Sequence, residues 1–416
     1  MRNVLVTICA LFSGLSLCAI KCSQQPSAPA PAVVAWLGPD KENISPEAFQ
    51  RVKNAGFTIS YSPYGTKELN TRALDVAAST GLRLLIADDR IEKWLSSNDS
   101  NFSVIDTVVT DYSHHPALWG YYLTHKAKIN DLNRLAVLKN HIGQKDSTHF
   151  VYISIHPNYA TPVETGSESY SQYLELFMGT VRPQVLVLEN FPITNYSFRG
   201  DYFANLEQVR ARALRAGIPF WSSALTVGHA VYPHPEPAHL RLQIFSGLAY
   251  GAGGVVYFTY SRPNTKEWDY QDALLDKAGA TTNTYDDVAK LNTAVKALYN
   301  ILGNATSTGV YHTPPVPPGC QPLAANLPIT FVDGEHILVG FFKDKRKNVY
   351  ALLVNKDYQY GKKIAVIMSK KITAVNEIAT NEQQRPLRMR WDDSAGEKIF
   401  TLLFKAGEGK LIQIRE

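Results

Sequence analysis

Cysteine is scarce in this chain and poorly placed for bridging. There are four, and Cys9, Cys18 and Cys22 all lie close to the N-terminus, which leaves Cys320 alone in the body. An internal disulfide framework is therefore excluded. Charge of one sign is also short: 42 Lys and Arg stand against 37 Asp and Glu, a formal net charge of +5, with no long basic run. A nucleic-acid partner has little support on that balance. The histidines His114, His115, His125, His156, His229, His234 and His239 match no zinc spacing such as His-Glu-x-x-His, so neither a metal nor any other cofactor is expected. Ser222-Ser223 lacks the Gly-x-Ser-x-Gly elbow of a nucleophilic serine. No glycine-rich phosphate loop follows the first strand candidate, which argues against a nucleotide-binding sheet.

What is present begins with an apolar run, Val4 to Ile20, behind Arg2. It is a secretory leader by length and flanks, too short and too polar at its borders for a permanent span. Cys22 opens Ser-Gln-Gln-Pro-Ser-Ala-Pro-Ala-Pro, an extended tether. This resembles a bacterial lipoprotein signal, which implies a lipid anchor at Cys22 and a place in the cell envelope. Lys21 departs from the small residue usual there, and Leu17 before Cys18 fits no better, so which cysteine is acylated stays open. Plain secretion to the periplasm or beyond is the alternative.

The composition, 45% hydrophobic and 19% charged, is that of a globular protein with room for one large domain and a small one. Short apolar strand candidates alternate with helices: Val33–Pro39, Phe57–Tyr64, Arg83–Asp89, Leu118–Thr124, His149–Ile155, Gln184–Leu188, Pro219–Leu225 and Gly254–Tyr260. Ser45 with Pro46 starts the first helix, and Gly81 and Gly217 close later ones. Eight strand–helix units predict a (β/α)8 TIM barrel, with an open doubly wound sheet as runner-up. From about Gly303 the rhythm changes. Pro314, Pro315, Pro317 and Pro318 make a stiff connection, and short β-type runs follow, predicting a small antiparallel β-sandwich or half-barrel. The expected organisation is a leader over 1–22, a tether over 23–32, the barrel over 33–303 and the β domain over 304–416.

In a parallel barrel the residues just past each strand face the active-site mouth. That rule collects Asp40, Tyr64, Asp88, Asp89, His125, Lys126, His156, Glu189, Asn190, Ser222, Ser223, Tyr257, Tyr260 and Arg262, then Glu267, Trp268 and Asp269 beyond the last strand. Polar groups mixed with aromatic ones suit a sugar, whose faces stack on rings and whose hydroxyls need donors and acceptors. Trp221, Trp268, Tyr64 and Tyr260 are candidate platforms, although packing is the more ordinary role for any single aromatic. Glu189 is the sharpest carboxylate, placed directly after Val185-Leu186-Val187-Leu188. It is either a nucleophile, base or hydroxyl acceptor, or else a salt-bridge partner for Lys126. Asp88 and Asp89 are adjacent, so only one can point inward from an extended strand.

His115-Pro116-Ala117-Leu118-Trp119-Gly120-Tyr121-Tyr122-Leu123 resembles the fourth-strand motif of glycosidase-like TIM barrels of the glycoside hydrolase superfamily, many of them Bacteroidetes lipoproteins. Leu248 to Tyr260 resembles their eighth strand, Val187-Leu188-Glu189-Asn190-Phe191-Pro192 their sixth, and Gly407-Glu408-Gly409-Lys410-Leu411 the close of their β domain. The resemblance implies an oligo- or polysaccharide as partner and hydrolysis of O-glycosyl bonds as activity. It breaks at the fourth strand, where relatives end Asp-Glu-Pro with the Glu as general acid. Here the matching positions are His125, Lys126 and Ala127. The seventh strand offers no Glu either, where retaining relatives often carry the nucleophile. Glycoside hydrolysis ordinarily needs two carboxylates. Glu189 with Asp88, Asp89 or His125 could supply a catalytic pair, with Lys126, Tyr64, His156, Asn190, Trp221, Ser222, Tyr257, Tyr260 and Trp268 binding substrate. The alternative is a glycan-binding lipoprotein that has lost its acid.

Overall fold

Parallel pairing of each strand with the next, and of the last with the first, closes the N-terminal part into an eight-stranded barrel. The computed structural model describes residues 31–379, 383–392 and 396–416. The expected leader and nearly all of the tether, with Cys9, Cys18 and Cys22, lie outside them. The chain runs β1 (Ala32–Trp36), α1 (Pro46–Asn54), β2 (Ile59–Gly65), α2 (Lys67–Thr80), β3 (Arg83–Asp88), α3 (Asp89–Ser96), α4 (Ser103–Tyr112), β4 (Leu118–Thr124) and α5 (Leu132–Lys145). It continues through β5 (Phe150–Ile155), α6 (Pro162–Thr165), α7 (Tyr170–Val181), β6 (Leu186–Leu188), α8 (Tyr202–Ala216), β7 (Phe220–Leu225), α9 (Pro237–Ala249), β8 (Gly254–Phe258) and α10 (Asn283–Leu302).

Local chemistry explains most of these limits. The Ser45 hydroxyl accepts from Ala48 N ahead of Pro46, and Gly81 and Gly217 end α2 and α8 in the left-handed region. The structure adds α3 between the expected third strand and the next helix. The Asp88 carboxylate accepts from Arg90 N and so starts a helix where a strand end was expected.

Two apolar sets divide the barrel by strand parity. Val34, Trp36, Ile59, Tyr61, Leu85, Tyr152, Val187, Trp221 and Val256 fill the interior. Their neighbours Val33, Ala35, Leu84, Ile86, Tyr121, Leu188, Val255 and Tyr257 pack under the helices. Alternation with period two is what a pleated strand imposes.

The C-terminal part comprises β9 (Ala305–His312), β10 (Gln321–Pro322), β11 (Ile329–Asp333), β12 (Ile337–Asp344), β13 (Val349–Asn355) and β14 (Lys362–Met368), then β15 (Ala374–Ile378), β16 (Gln384–Pro386), β17 (Arg390–Asp392), β18 (Glu397–Phe404) and β19 (Gly409–Arg415). One sheet has the order β10-β9-β12-β13-β19-β15-β16 and the other β11-β14-β18-β17, with their inner faces packed together through Val339, Phe341, Leu353, Val366 and Phe400. The large sheet is buried on both sides: Leu338, Phe342, Leu352 and Val354 turn to the barrel's core. This is why β12 and β13 read as continuous apolar runs. Gly340 permits the contact, since a Cβ there would lie 2.1 Å from the Ala249 carbonyl oxygen at the end of α9. The strand β9 is not legible in the sequence because its first half is Thr306, Ser307, Thr308 and Gly309, with the two threonines exposed and no apolar alternation.

Candidate functional site

Glu189 follows Val185 and Val187 on the inward parity of β6, so its carboxylate enters the barrel mouth. His125 Nε2 donates to Glu189 Oε2 at 2.7 Å, and Lys126 Nζ stands 2.5 Å from Oε1. Consecutive residues of an extended strand point to opposite faces, yet both of these reach one carboxylate. The backbone solves this by turning at Lys126, whose φ is 54°. Ser154 fixes the turn, its hydroxyl accepting from Lys126 N at 2.9 Å. Burial by itself would raise the Glu189 pKa. The charges and hydrogen bonds of His125 and Lys126 outweigh it and hold the group at about 2. Glu189 is thus a lasting anion and no proton donor near neutral pH.

Rings surround the trio. Trp36 lies 5.8 Å from the His125 ring, and Tyr61, Tyr122 and Tyr152 pack around Trp36 at 4.1, 5.9 and 5.4 Å. Burial first and then the Glu189 charge push the Tyr152 hydroxyl far up. Above them a second group, Phe191, Tyr232, His229, Phe258 and Tyr270, lines the loops after β6, β7 and β8, with His229 stacked on Tyr270 at 4.7 Å. His156 is buried beside this site with Nε2 unpartnered among the described residues, and burial followed by the Lys126 charge lowers it to about 4. It is a neutral imidazole.

Several residues expected at the mouth are placed elsewhere, and parity is the reason. Tyr64, Asp88, Asn190, Ser222 and Tyr257 occupy outward positions, and Tyr260, in the loop beyond β8, packs on the same helix-side core. Tyr64 donates to Pro39 O, Tyr257 to Asn292 Oδ1, and Asn190 Nδ2 to Asn205 Oδ1. Ser222 lies against Gly247 of α9, and Tyr260 is buried edge-on to Phe57. Asp88 is held by Arg90 through both oxygens and accepts from the Tyr112 hydroxyl at 2.7 Å. Burial would raise its pKa, but these partners lower it. Trp221 does point inward, but at the lower end of the barrel, where it packs on Trp119 and Phe150. Asp89 is exposed beside Gly65, and Trp268 is an exposed loop residue. Asp40 caps a turn by accepting from Asn43 N; with Tyr260 and Arg262 it lines a separate polar cleft of about 650 Å³ between the loops after β1 and β8. Trp36, Tyr61, Tyr122 and Tyr152 are not among the residues collected from the sequence. The even spacing of Trp36 from Val34, Tyr61 from Ile59 and Tyr152 from Phe150 is a readable signal, whereas Tyr122 lies three residues after the inward Trp119, where β4 departs from regular register.

Among the described residues no group of three or more His, Cys, Asp or Glu could hold a metal, and no helix is long and apolar enough to cross a membrane.

The model of the β-galactosidase family of glycoside hydrolases (Glyco_hydro_42) matches residues 185–298, from Val185 just before β6 into α10. Over that segment the chain is similar to the β-galactosidase family, and its barrel fold is that of solved glycoside hydrolases. It superposes on a catalytic mutant of a GH42 β-galactosidase from G. stearothermophilus with a TM-score of 0.64 at 8% identity, over 93% of this chain and 98% of that one. For the β-galactosidase of Bacillus circulans sp. alkalophilus the values are 0.63, 7%, 93% and 99%. For a glycoside hydrolase family 5 protein from Bacteroides vulgatus they are 0.56, 10%, 92% and 89%. No curated protein matches the sequence. On this glycosidase-like barrel Lys126 occupies the fourth-strand position where the resemblance implies a general acid, and the strand end of β7 carries Ser223, Ala224 and Leu225.

Proposed function

We propose that this chain recognises an oligo- or polysaccharide at the barrel mouth and holds it without cleaving it. The observation that carries the reading is the clamp on Glu189. Its two oxygens are engaged by His125 and Lys126, and its pKa of about 2 removes it as a proton donor. A two-carboxylate mechanism needs an acid on one side of the scissile bond and a base or nucleophile on the other. Here an ammonium stands at the acid position, and Asp88 faces the helix layer. What remains suits binding: fixed charge-assisted donors and acceptors for hydroxyls, with a wall of rings for the sugar faces. The leader-like N-terminus supports a place outside the cytoplasm, with Cys22 as the proposed acylation point.

A second reading is hydrolysis of an O-glycosyl bond, favoured by the family match across residues 185–298. In it His125 would donate the proton and Glu189 would act as its carboxylate partner. Titration calorimetry on a glycan panel, with chromatography of the incubated ligands, separates the two. Binding with no released sugar supports recognition. Turnover that disappears in Glu189→Gln overturns it in favour of the hydrolase.

A further inference from the structure

Three consecutive loops on the mouth side of the barrel meet at one guanidinium. Tyr159 lies between β5 and α6, Arg199 between β6 and α8, and Tyr232 between β7 and α9. The Arg199 guanidinium carbon sits 3.9 Å over the Tyr159 ring and 6.0 Å from that of Tyr232. The two tyrosine hydroxyls are 3.3 Å apart, and Arg199 donates to the Tyr232 hydroxyl at only 3.4 Å. Its Nε–H is buried and hydrogen-bonds to nothing among the described residues, where the charge also has no carboxylate partner.

Other arginines of this barrel behave differently. Arg134 stacks on Trp94 too, but donates to the carbonyls of Leu95 and Asp99, which pins its loop. Arg90 binds Asp88 and Asp111, and Arg210 binds Glu207 and Ser307. Arg199 holds its cation on aromatic faces and leaves its donors largely unspent. It also borders the site described above. Tyr232 contacts the His229 ring at 5.1 Å and Phe191 at 5.8 Å. Burial and then Tyr232 push the Tyr159 hydroxyl up, while the Arg199 charge opposes and the Glu189 charge adds to that shift.

Building on the sugar-binding reading, we propose that Arg199, seated on Tyr159 and Tyr232, is an anion-recognition point of the mouth, and that the ligand is a sugar carrying a carboxylate or a sulfate. A planar guanidinium fork matches the paired oxygens of either group, and its stacked position already fixes its plane. At the head of the same loop His125 and Lys126 are already engaged by Glu189, whereas Arg199 has no carboxylate partner among the described residues, so the charged substituent is directed to the Arg199 side and the neutral hydroxyls to the trio.

The test uses the whole chain and two pairs of ligands: oligogalacturonate beside its carboxyl-reduced form, and sulfated galactan oligosaccharide beside its desulfated form. Tighter binding of one charged member identifies uronate or sulfate as the source. Arg199→Gln should then weaken that ligand by about tenfold or more while leaving its neutral counterpart unchanged, and Arg199→Lys should recover only part of the loss. If charged and neutral members bind wild type alike, or if Arg199→Gln keeps the preference, the anion proposal is overturned and sugar recognition stands. If no glycan of any charge binds, sugar recognition itself falls. Should Arg199→Gln not fold, the ligand pairs on the wild-type protein decide the matter alone.

Discussion

Lys126 reaches Glu189 at 2.5 Å from a left-handed backbone position, φ 54°, while its neighbour His125 takes the other oxygen of the same carboxylate. Two strand ends are thereby joined by charge at the point where a glycosidase-like barrel would place its acid.

The first consequence is a pH dependence. The folded pKa of Glu189 lies below its ordinary value of 4.5, at about 2. A lowered carboxylate pKa gives stability that is complete above the unfolded value and fades as pH falls through the folded one. The shift corresponds to on the order of 3 kcal/mol. Urea denaturation should therefore show wild type well above Glu189→Gln at about pH 6, with the gap closing as the pH is lowered from 4.5 towards 2. An equal gap at both ends of that range would refute the clamp.

The left-handed turn makes a second prediction. Lys126→Ala and Lys126→Gly both delete the ammonium, but only glycine adopts positive φ without a Cβ penalty. Lys126→Gly should be the more stable of the two by about 1 kcal/mol. Equal denaturation midpoints would mean the turn is unstrained.

Asp88 was a catalytic candidate in the sequence and is a structural residue in the fold. Its buried side chain joins Arg90, Tyr112 and the start of α3. Asp88→Asn should cost about 3 kcal/mol, the range for breaking a buried ion pair, and lower the melting midpoint. Glycan affinity, measured well below that midpoint, should not change. A selective loss of affinity with unaltered stability would return Asp88 to the site.

A fourth prediction concerns the seam between barrel and β domain. Lys356 is buried there, within 3.2 Å of His312 Nδ1, and His312 Nε2 lies 2.9 Å from the Tyr250 hydroxyl. Burial lowers Lys356 to about 8 and His312 to about 3. Between about pH 8 and 10 the unfolded chain binds the lysine proton more tightly than the folded one, so stability contributed by this site rises with pH. Lys356→Met removes that titration. The stability difference, wild type minus Lys356→Met, should climb from about pH 7.5 to 9.5 in denaturant melts. A difference independent of pH would show that Lys356 keeps its proton as easily when folded as when unfolded.

The sequence by itself determined the barrel and the sheets after it. Short apolar strands, Ser45-Pro46 at a helix start, and Gly81 and Gly217 at helix ends are local signals, readable because capping and strand periodicity act within a few residues. Glu189 was legible for the same reason, as a charge ending an apolar run. Which strand-end residues share the mouth was decided only in three dimensions. Parity sent Tyr257, Asn190 and Asp88 to the helix layer and gave the interior to Trp36, Tyr61 and Tyr152, while Tyr260 packs there from the loop beyond β8. The convergence of His125, Lys126 and Glu189 across 64 positions, and of Arg199 with Tyr159 and Tyr232, depends on barrel closure and on a backbone turn at Lys126. No local pattern encodes those contacts, because they arise from strands that become neighbours only when the sheet has closed.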